Sequence, residues 1–501
     1  MSFFATLAIT PIDLTIIALY VLGTAILGVY LGRGNHSSGD FFLGSKNLPT
    51  WALLLSIVAT ETSTVTFLSI PGVAFQPGGS FAFLQLALGY IVGRILVLIF
   101  ILPIYFREET STAYQVFQRT FGPSTQRMAS LFFLIARTLG DGLRLYLAAL
   151  ALQQVTNMPF EANVAILAIV TAFYALLGGV RSVVWNDCLQ FAVYMAGAVV
   201  IMMLIVQQIP GGVSEYLQFA QETGRWKMFD WRWFPQDGSI TIWSGLIGGA
   251  TLSLATHGAD QLIVQRYLCA ANQRSAGWAL FWSGPIVFVQ FTIFLAIGVG
   301  LAYFYQQIDP DLATIAGDEA LPKFIVQQLP IGITGIVLAA VFAAAMSTLS
   351  SSVNSSSSSL LDDWVTGLYP NLSDQRRLRL ARGFTLLFTL LQAIVAVGAY
   401  RGQFADSVVN QALAIAGFSA GLLLGLMLLA IMIPHVSSMA ANLGLLIGAS
   451  TISVVAIQTN VSGYWYSFIC ATTTFLATGI LGMLFRKSPP SAEITSFEDS
   501  P

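Results

Sequence analysis

Apolar positions in this chain come in long runs, without the alternation of a half-buried strand or the single stripe of a surface helix. Runs of spanning length fall at about 11–32, 50–72, 81–105, 125–152, 161–180, 183–208, 241–263, 276–306, 330–361, 382–401, 407–432, 439–457 and 463–486. A membrane helix needs about 20 apolar residues. The pattern therefore predicts an all-α integral membrane protein with about 13 transmembrane helices. The first run does not read as a cleaved leader, because residues 1–10 contain no Lys or Arg.

Composition agrees with the pattern. Of the 501 residues, 56% are hydrophobic and 9% are charged, against roughly 25% charged in a soluble domain. A water-soluble enzyme is excluded. The 22 basic and 24 acidic residues leave a net charge of −2, which excludes a polybasic nucleic-acid binder. Cys188, Cys269 and Cys470 are scattered and show no metal-ligand spacing.

Basic residues orient the spans, since cytoplasmic loops carry the excess of Lys and Arg. One set of alternate loops holds fourteen, Arg266 among them, and the other five, Arg225 among them, with Arg94, Arg137 and Arg144 left inside spans. The expectation is a multi-pass plasma (bacterial inner) membrane protein, N-terminus outside and C-terminus cytoplasmic. Residues 1–486 read as a single transmembrane domain and 487–501 as a short cytoplasmic tail. The longest outside loop, 209–240, carries Trp226, Trp231 and Trp233 as interface anchors.

Polar groups are costly in hydrocarbon, so function is sought where spans turn polar. The second span contains Ala59-Thr60-Glu61-Thr62-Ser63-Thr64, where hydroxyls and cavity water can satisfy carbonyls freed by a break. The seventh reads Gly248-Gly249-Ala250-Thr251, then Thr256-His257-Gly258, and also looks breakable. In the ninth, Ala344, Ser347, Thr348 and Ser351 share one helical face. Such oxygens suit a hard cation such as Na⁺. Small residues on one face also suit close helix packing, and composition alone leaves both readings open.

The two breakable spans are five apart, which predicts two five-helix repeats at about 50–208 and 241–432. The spans at 11–32, 439–457 and 463–486 lie outside them. Five is odd, so the second repeat is inverted. Transporters built this way bind solute and ion at the midplane, beside their broken helices.

Other polar positions carry paired readings. Arg137, Asp141 and Arg144 fall on one face of the fourth span. They form either a buried ion-pair cluster tying that helix to its neighbours or a grip for an anionic solute. Arg94 is expected to pair with a carboxylate or backbone carbonyls. Glu61 is either a proton carrier or a cap for N–H groups freed by the break. His257 reads as a satisfied packing residue, and Gln411, with Asn410, as a helix-end group near the solute path.

The chain resembles the sodium/solute symporter family of sodium-coupled proline, sugar, iodide and vitamin carriers. The resemblance spans nearly the whole chain and rests on motifs in order: Phe41-Phe42-Leu43-Gly44, Phe67-Leu68-Ser69-Ile70-Pro71-Gly72, Gly178-Gly179-Val180-Arg181 with Asp187, and Asp260-Gln261-Leu262-Ile263-Val264-Gln265-Arg266. The Ala344/Ser347/Thr348 stretch completes the set. The resemblance implies a leucine-transporter-like fold with 5+5 inverted repeats. It also implies a sodium ion held by backbone oxygens of Ala59, Thr62 and Ala344 and by the hydroxyls of Ser347 and Thr348. Asp187 matches an acid linked to sodium release or to a second sodium. The extra serine that holds a second sodium in some members is matched here by Ala344, which argues against a second ion.

Positions resembling the sugar carriers' polar contacts are Thr66, Ala87 and Ser253, small or apolar side chains that argue against a hexose. Together with the arginines, this points to a carboxylate-bearing solute, an organic acid or an amino acid. The leading expectation is a sodium-coupled symporter working by alternating access. A proton-coupled symporter and a transporter-like sensor without sustained flux stay as alternatives. No nucleophile–base pair or metal cluster emerges from three histidines and three cysteines, so an enzyme is not expected.

Overall fold

The computed structural model describes residues 10–485 apart from 34–36, 109, 157, 234–238, 309–314, 403–407, 434 and 460, with backbone alone at 45, 151, 154, 155, 408–414 and 416. The expected tail at 487–501 and the side chains of Asn410 and Gln411 lie outside the described residues. The main helices are α1 (Pro11–Gly32), α2 (Thr50–Glu61), α3 (Thr64–Phe75), α4 (Phe81–Arg107), α5 (Pro123–Thr156), α6 (Phe160–Gln208) and α7 (Gly249–Gly258). They continue with α8 (Gln261–Leu268), α9 (Gln273–Ile308), α10 (Ile333–Leu368), α11 (Asp374–Arg401), α12 (Val408–Met432), α13 (Ser438–Gln458) and α14 (Gly463–Leu484). Among the described residues, eight helices are long and apolar enough to cross a membrane, nine if the bent pair α2–α3 is one span. Every predicted run falls on helix, but the division differs. The runs at 161–180 and 183–208 share α6, where the backbone leaves helical geometry at Gly179, and the ionic row of α5 keeps that helix out of the apolar set.

The division of α6 is local chemistry. Gly179 adopts φ 57° and ψ −161° inside the helix and kinks it. A Cβ there would lie 2.5 Å from the Phe41 carbonyl oxygen. Only glycine takes that conformation without strain, which gives the Gly178-Gly179 motif its physical sense.

The second break lies at the C-terminal end of the stretch read as breakable, directly after Thr256-His257-Gly258. Gly248-Gly249 does not interrupt its helix; a π turn at Ser244–Gly248 runs into α7, and the chain leaves helical geometry at Ala259 (φ −132°, ψ −5°). The glycines serve close approach instead. A Cβ on Gly89 would stand 2.2 Å from the Gly245 carbonyl oxygen, and one on Gly93 2.4 Å from that of Ala250. Small residues four apart on both helices let the backbones of α4 and α7 touch. Overpacking such a crossing costs about 1–3 kcal/mol, so Gly89→Ala is expected to lower the melting temperature of the purified protein. Gly383→Ala, with nothing within 4 Å of the added carbon, is expected to leave it unchanged or raise it. Equal melting of the two variants would refute the packing reading.

Helix α10 runs through the centre, with every residue from Val337 to Ser359 buried. Its first turn is tied to α1: Asp13 Oδ1 accepts from the backbone N–H groups of Gly332 and Gly335, both at 2.8 Å. A carboxylate there satisfies donors that a helix start leaves unpaired. Arg225, counted above among loop cations, is in fact 3% exposed and donates to the carbonyls of Ala74 and Gln76. Among the tryptophans of 209–240, Trp226 packs edge-on against Phe81 at 4.7 Å and Trp233 stacks on Trp243 at 4.0 Å.

Candidate functional site

The predicted break in the second span is where the sequence placed it. Helix α2 ends at Glu61, Thr62 (φ −83°, ψ 94°) and Ser63 (φ −91°, ψ 172°) are extended, and α3 leaves at 63°. A helix end frees its last carbonyls, here those of Ala59 through Glu61, since the Val58 carbonyl accepts from the Thr62 N–H at 3.0 Å. Ala59 and Ala344 are both fully buried beside this break. Thr348 Oγ1 donates to the Thr60 carbonyl at 3.2 Å, joining α10 to the break. Thr62 Oγ1 is itself held, donating to the Val58 carbonyl and accepting from Gln290 Nε2 at 2.7 Å.

Asp187 stands in the same cluster. Its carboxylate is fully buried and accepts from Ser347 Oγ at 2.9 Å and Ser56 Oγ at 2.6 Å. Thr60 Oγ1 lies 3.1 Å from Ser351 Oγ. Arg266, counted above as a loop cation, is fully buried; it donates to Ser351 Oγ and lies 3.6 Å from Asp187. Three helices, α2, α6 and α10, thus converge carbonyl, hydroxyl and carboxylate oxygens, and α8 adds the Arg266 guanidinium. That set favours a hard monovalent or divalent cation over a transition metal. Among the described residues, no three His, Cys, Asp or Glu side chains come together as a metal site. Ser351 was read on the hydroxyl face and Thr60 as part of the break, whereas Ser56 and Arg266 were missed as members of the cluster. For Arg266 the signal was available in the Asp260–Arg266 motif, yet a positive charge in an apparent loop reads as solvated.

On the other side of the break lies a cavity of about 130 Å³, reached by Thr60–Ser63 and Thr66 and walled by α4, α5, α7, α8 and α9. Much of its lining is apolar, including Phe83, Leu252 and Phe291. Ser253 borders it and donates to the Tyr90 carbonyl at 3.0 Å. Arg137, Arg144 and Glu61 are its charged members. The α5 row is an ion-paired cluster whose two arginines also line the cavity. Arg137 donates to Asp260, the N-cap of α8, which ties α5 to the second break. Arg144 Nη1 donates to Asp141 Oδ1 at 2.5 Å, within the same helix. Asp141 is fully buried, whereas the Arg144 side chain keeps 19% exposure and its Nε has no partner.

Glu61 is neither an isolated carboxyl nor the expected backbone cap. Arg94 donates to it, supplying the partner that sequence did not identify for that arginine. His257 Nε2 lies 3.1 Å from its other oxygen. A lone proton carrier would not be neutralised by a guanidinium, so this contact speaks against the proton-coupled alternative. Three cations, Arg94, Arg137 and Arg144, thus face three anions, Glu61, Asp141 and Asp260.

The profile of the Sodium:solute symporter family matches residues 41–448. The sodium/sialic acid symporter of Proteus mirabilis (strain HI4320) is 27% identical, covering 96% of both chains. Sodium-coupled monocarboxylate transporter 2 of Bos taurus is 28% identical over 86% of this chain and 70% of its own. The substrate-bound outward-open structure of a Na⁺-coupled sialic acid symporter superposes with a TM-score of 0.86 at 25% identity, covering 96% of this chain and all of that one. The expected leucine-transporter-like fold is the observed one. A transporter and not an enzyme, this chain belongs to the sodium:solute symporter family.

Proposed function

We propose that this sodium-coupled symporter imports a small solute bearing a carboxylate, with Na⁺ held between the break of α2 and the hydroxyl face of α10. The observation that carries the reading is the junction of α10 with the broken helix, where Thr348 Oγ1 donates to the Thr60 carbonyl at 3.2 Å and Ser347 Oγ to the Asp187 carboxylate at 2.9 Å; Ala59, Thr62 and Ala344 complete the proposed ligand set. Asp187 supplies the charge that a group of neutral oxygens lacks, and its pairing with Arg266 offers an alternative partner when sodium leaves. The solute occupies the adjoining cavity, where Thr66 and Ser253 are polar contacts and Arg144 is the anion grip. Arg144 spends one of its five donors on Asp141, leaving a pair free for a carboxylate. Because the cavity's charges balance, an anion is admitted by these oriented donors and not by net charge. The repeats at about 50–208 and 241–432 move against one another around this site. The arginine-rich loops face the cytoplasm, with the N-terminus outside.

Proteoliposomes test the whole reading. An inward sodium gradient is expected to accumulate a labelled monocarboxylate or amino acid severalfold over an equal potassium gradient. A pH gradient without sodium is expected to drive nothing. Accumulation on the pH gradient alone would overturn the sodium assignment. Accumulation of a neutral hexose, with carboxylates inert, would overturn the substrate class.

A further inference from the structure

Away from the transport site, a groove of about 600 Å³ opens between α4 and the first turns of α9. Leu98, Leu102, Gly277, Trp278 and Phe281 line it, and Arg274 stands at its end. The face is membrane-exposed in character: Trp278 and the neighbouring Trp282 keep 49% and 48% of their surface uncovered. Phe281 packs edge-on against both. Indole rings at this density mark the level of the lipid headgroups.

Arg274 is exposed and, among the described residues, has no carboxylate partner. It gains nothing from its own helix, since a cation in a first turn opposes the macrodipole. Helix α4 brings Arg107 to the same membrane end, five residues beyond Leu102 and itself 78% exposed. Arg107 is paired with Glu108 at 3.6 Å, so Arg274 is the cation that lines this apolar groove, which no other part of the described chain fills.

We propose that this groove binds an anionic glycerophospholipid, its acyl chain against Leu98, Leu102 and Gly277 and its headgroup phosphate on Arg274. The place has a structural consequence. Ser275, next to Arg274, lies 2.6 Å from Thr50 Oγ1 at the first residue of α2, and Leu48 forms a bridge to Ala270. A lipid seated here braces the junction from which the broken helix rises. The inference does not depend on the identity of the transported solute.

The test uses the full-length protein in detergent, supplemented with phosphatidylglycerol or with phosphatidylcholine of the same acyl chains. Phosphatidylglycerol is expected to raise the melting temperature, and native mass spectrometry to show it retained. Arg274→Ala is expected to reduce retention about fivefold, the worth of one surface cation to an anionic lipid, while Arg274→Lys keeps most of it. Gly277→Leu is expected to abolish retention by filling the groove. A Cβ at Gly277 stands 3.7 Å from Leu98 and Leu102, so the backbone need not move. Mass spectrometry reads only folded protein, so the comparison survives a loss of yield. Undiminished retention in both Arg274→Ala and Gly277→Leu overturns the site. Equal stabilisation by soluble glycerol phosphate overturns the lipid and leaves a bare phosphate contact.

Discussion

In sodium the purified protein is expected to melt higher than in potassium or choline at equal ionic strength, and Ser347→Ala and Thr348→Ala are each expected to lose that difference. A ligand that binds only the folded state stabilises it by RT ln(1 + [L]/Kd), about 2.7 kcal/mol at a hundredfold excess. Both hydroxyls also make protein contacts, to Asp187 and to the Thr60 carbonyl. Each alanine therefore removes about 1 kcal/mol of hydrogen bonding in every salt. The sodium-specific part is the difference between salts, which that common loss does not touch. Asp187→Asn separates the charge from the hydroxyls: it keeps an acceptor for Ser347 while removing the anion, and a several-fold weaker sodium response is expected. A wild-type protein that melts identically in all three salts, with and without a transported carboxylate, would sink the proposed ion site.

The two arginines of α5 are expected to fail in different ways. Arg144→Gln should fold normally and transport with an apparent substrate affinity lowered by about tenfold to a hundredfold. That range corresponds to losing a charge-assisted hydrogen bond of about 1.5–3 kcal/mol. Its partner Asp141 is fully buried but keeps a second cation, Arg137, whose Nη1 lies 3.7 Å away. Arg137→Gln should instead lower stability, because it leaves Asp260 buried without its cation. Breaking one side of a buried pair costs about 3–5 kcal/mol. KM measured in proteoliposomes, alongside melting in detergent, distinguishes the two. Unchanged substrate affinity in both variants would end the carboxylate proposal.

The broken helix shows how a site can be legible from residues alone. Thr60 to Thr64 offered hydroxyls and a poor helical interior in the middle of an apolar run, and the chain does leave helical geometry at Thr62 and Ser63. The hydroxyl face of Ser347, Thr348 and Ser351 was likewise visible, since helical spacing alone puts those residues on one side. In the seventh span the same logic picked out both Gly248-Gly249 and Thr256-His257-Gly258, and only the second lies at the break. Glycine marks both flexible backbone and close helix contact, and one sequence cannot separate the two.

What the sequence by itself determined is the solvent and the elements: a bilayer, apolar spans, the first break and the polar face of α10. Those follow from hydrophobicity and from the 3.6-residue period, both properties of neighbouring positions. Only the tertiary structure decided which polar atoms meet. Asp187 finds Ser347 across 160 residues and Arg94 finds Glu61 across 33. Arg266 and Arg225 look like loop cations until packing buries them. A buried charge must be paired wherever it lies, but the choice of partner is set by which helices the packing brings together, and no local pattern encodes that.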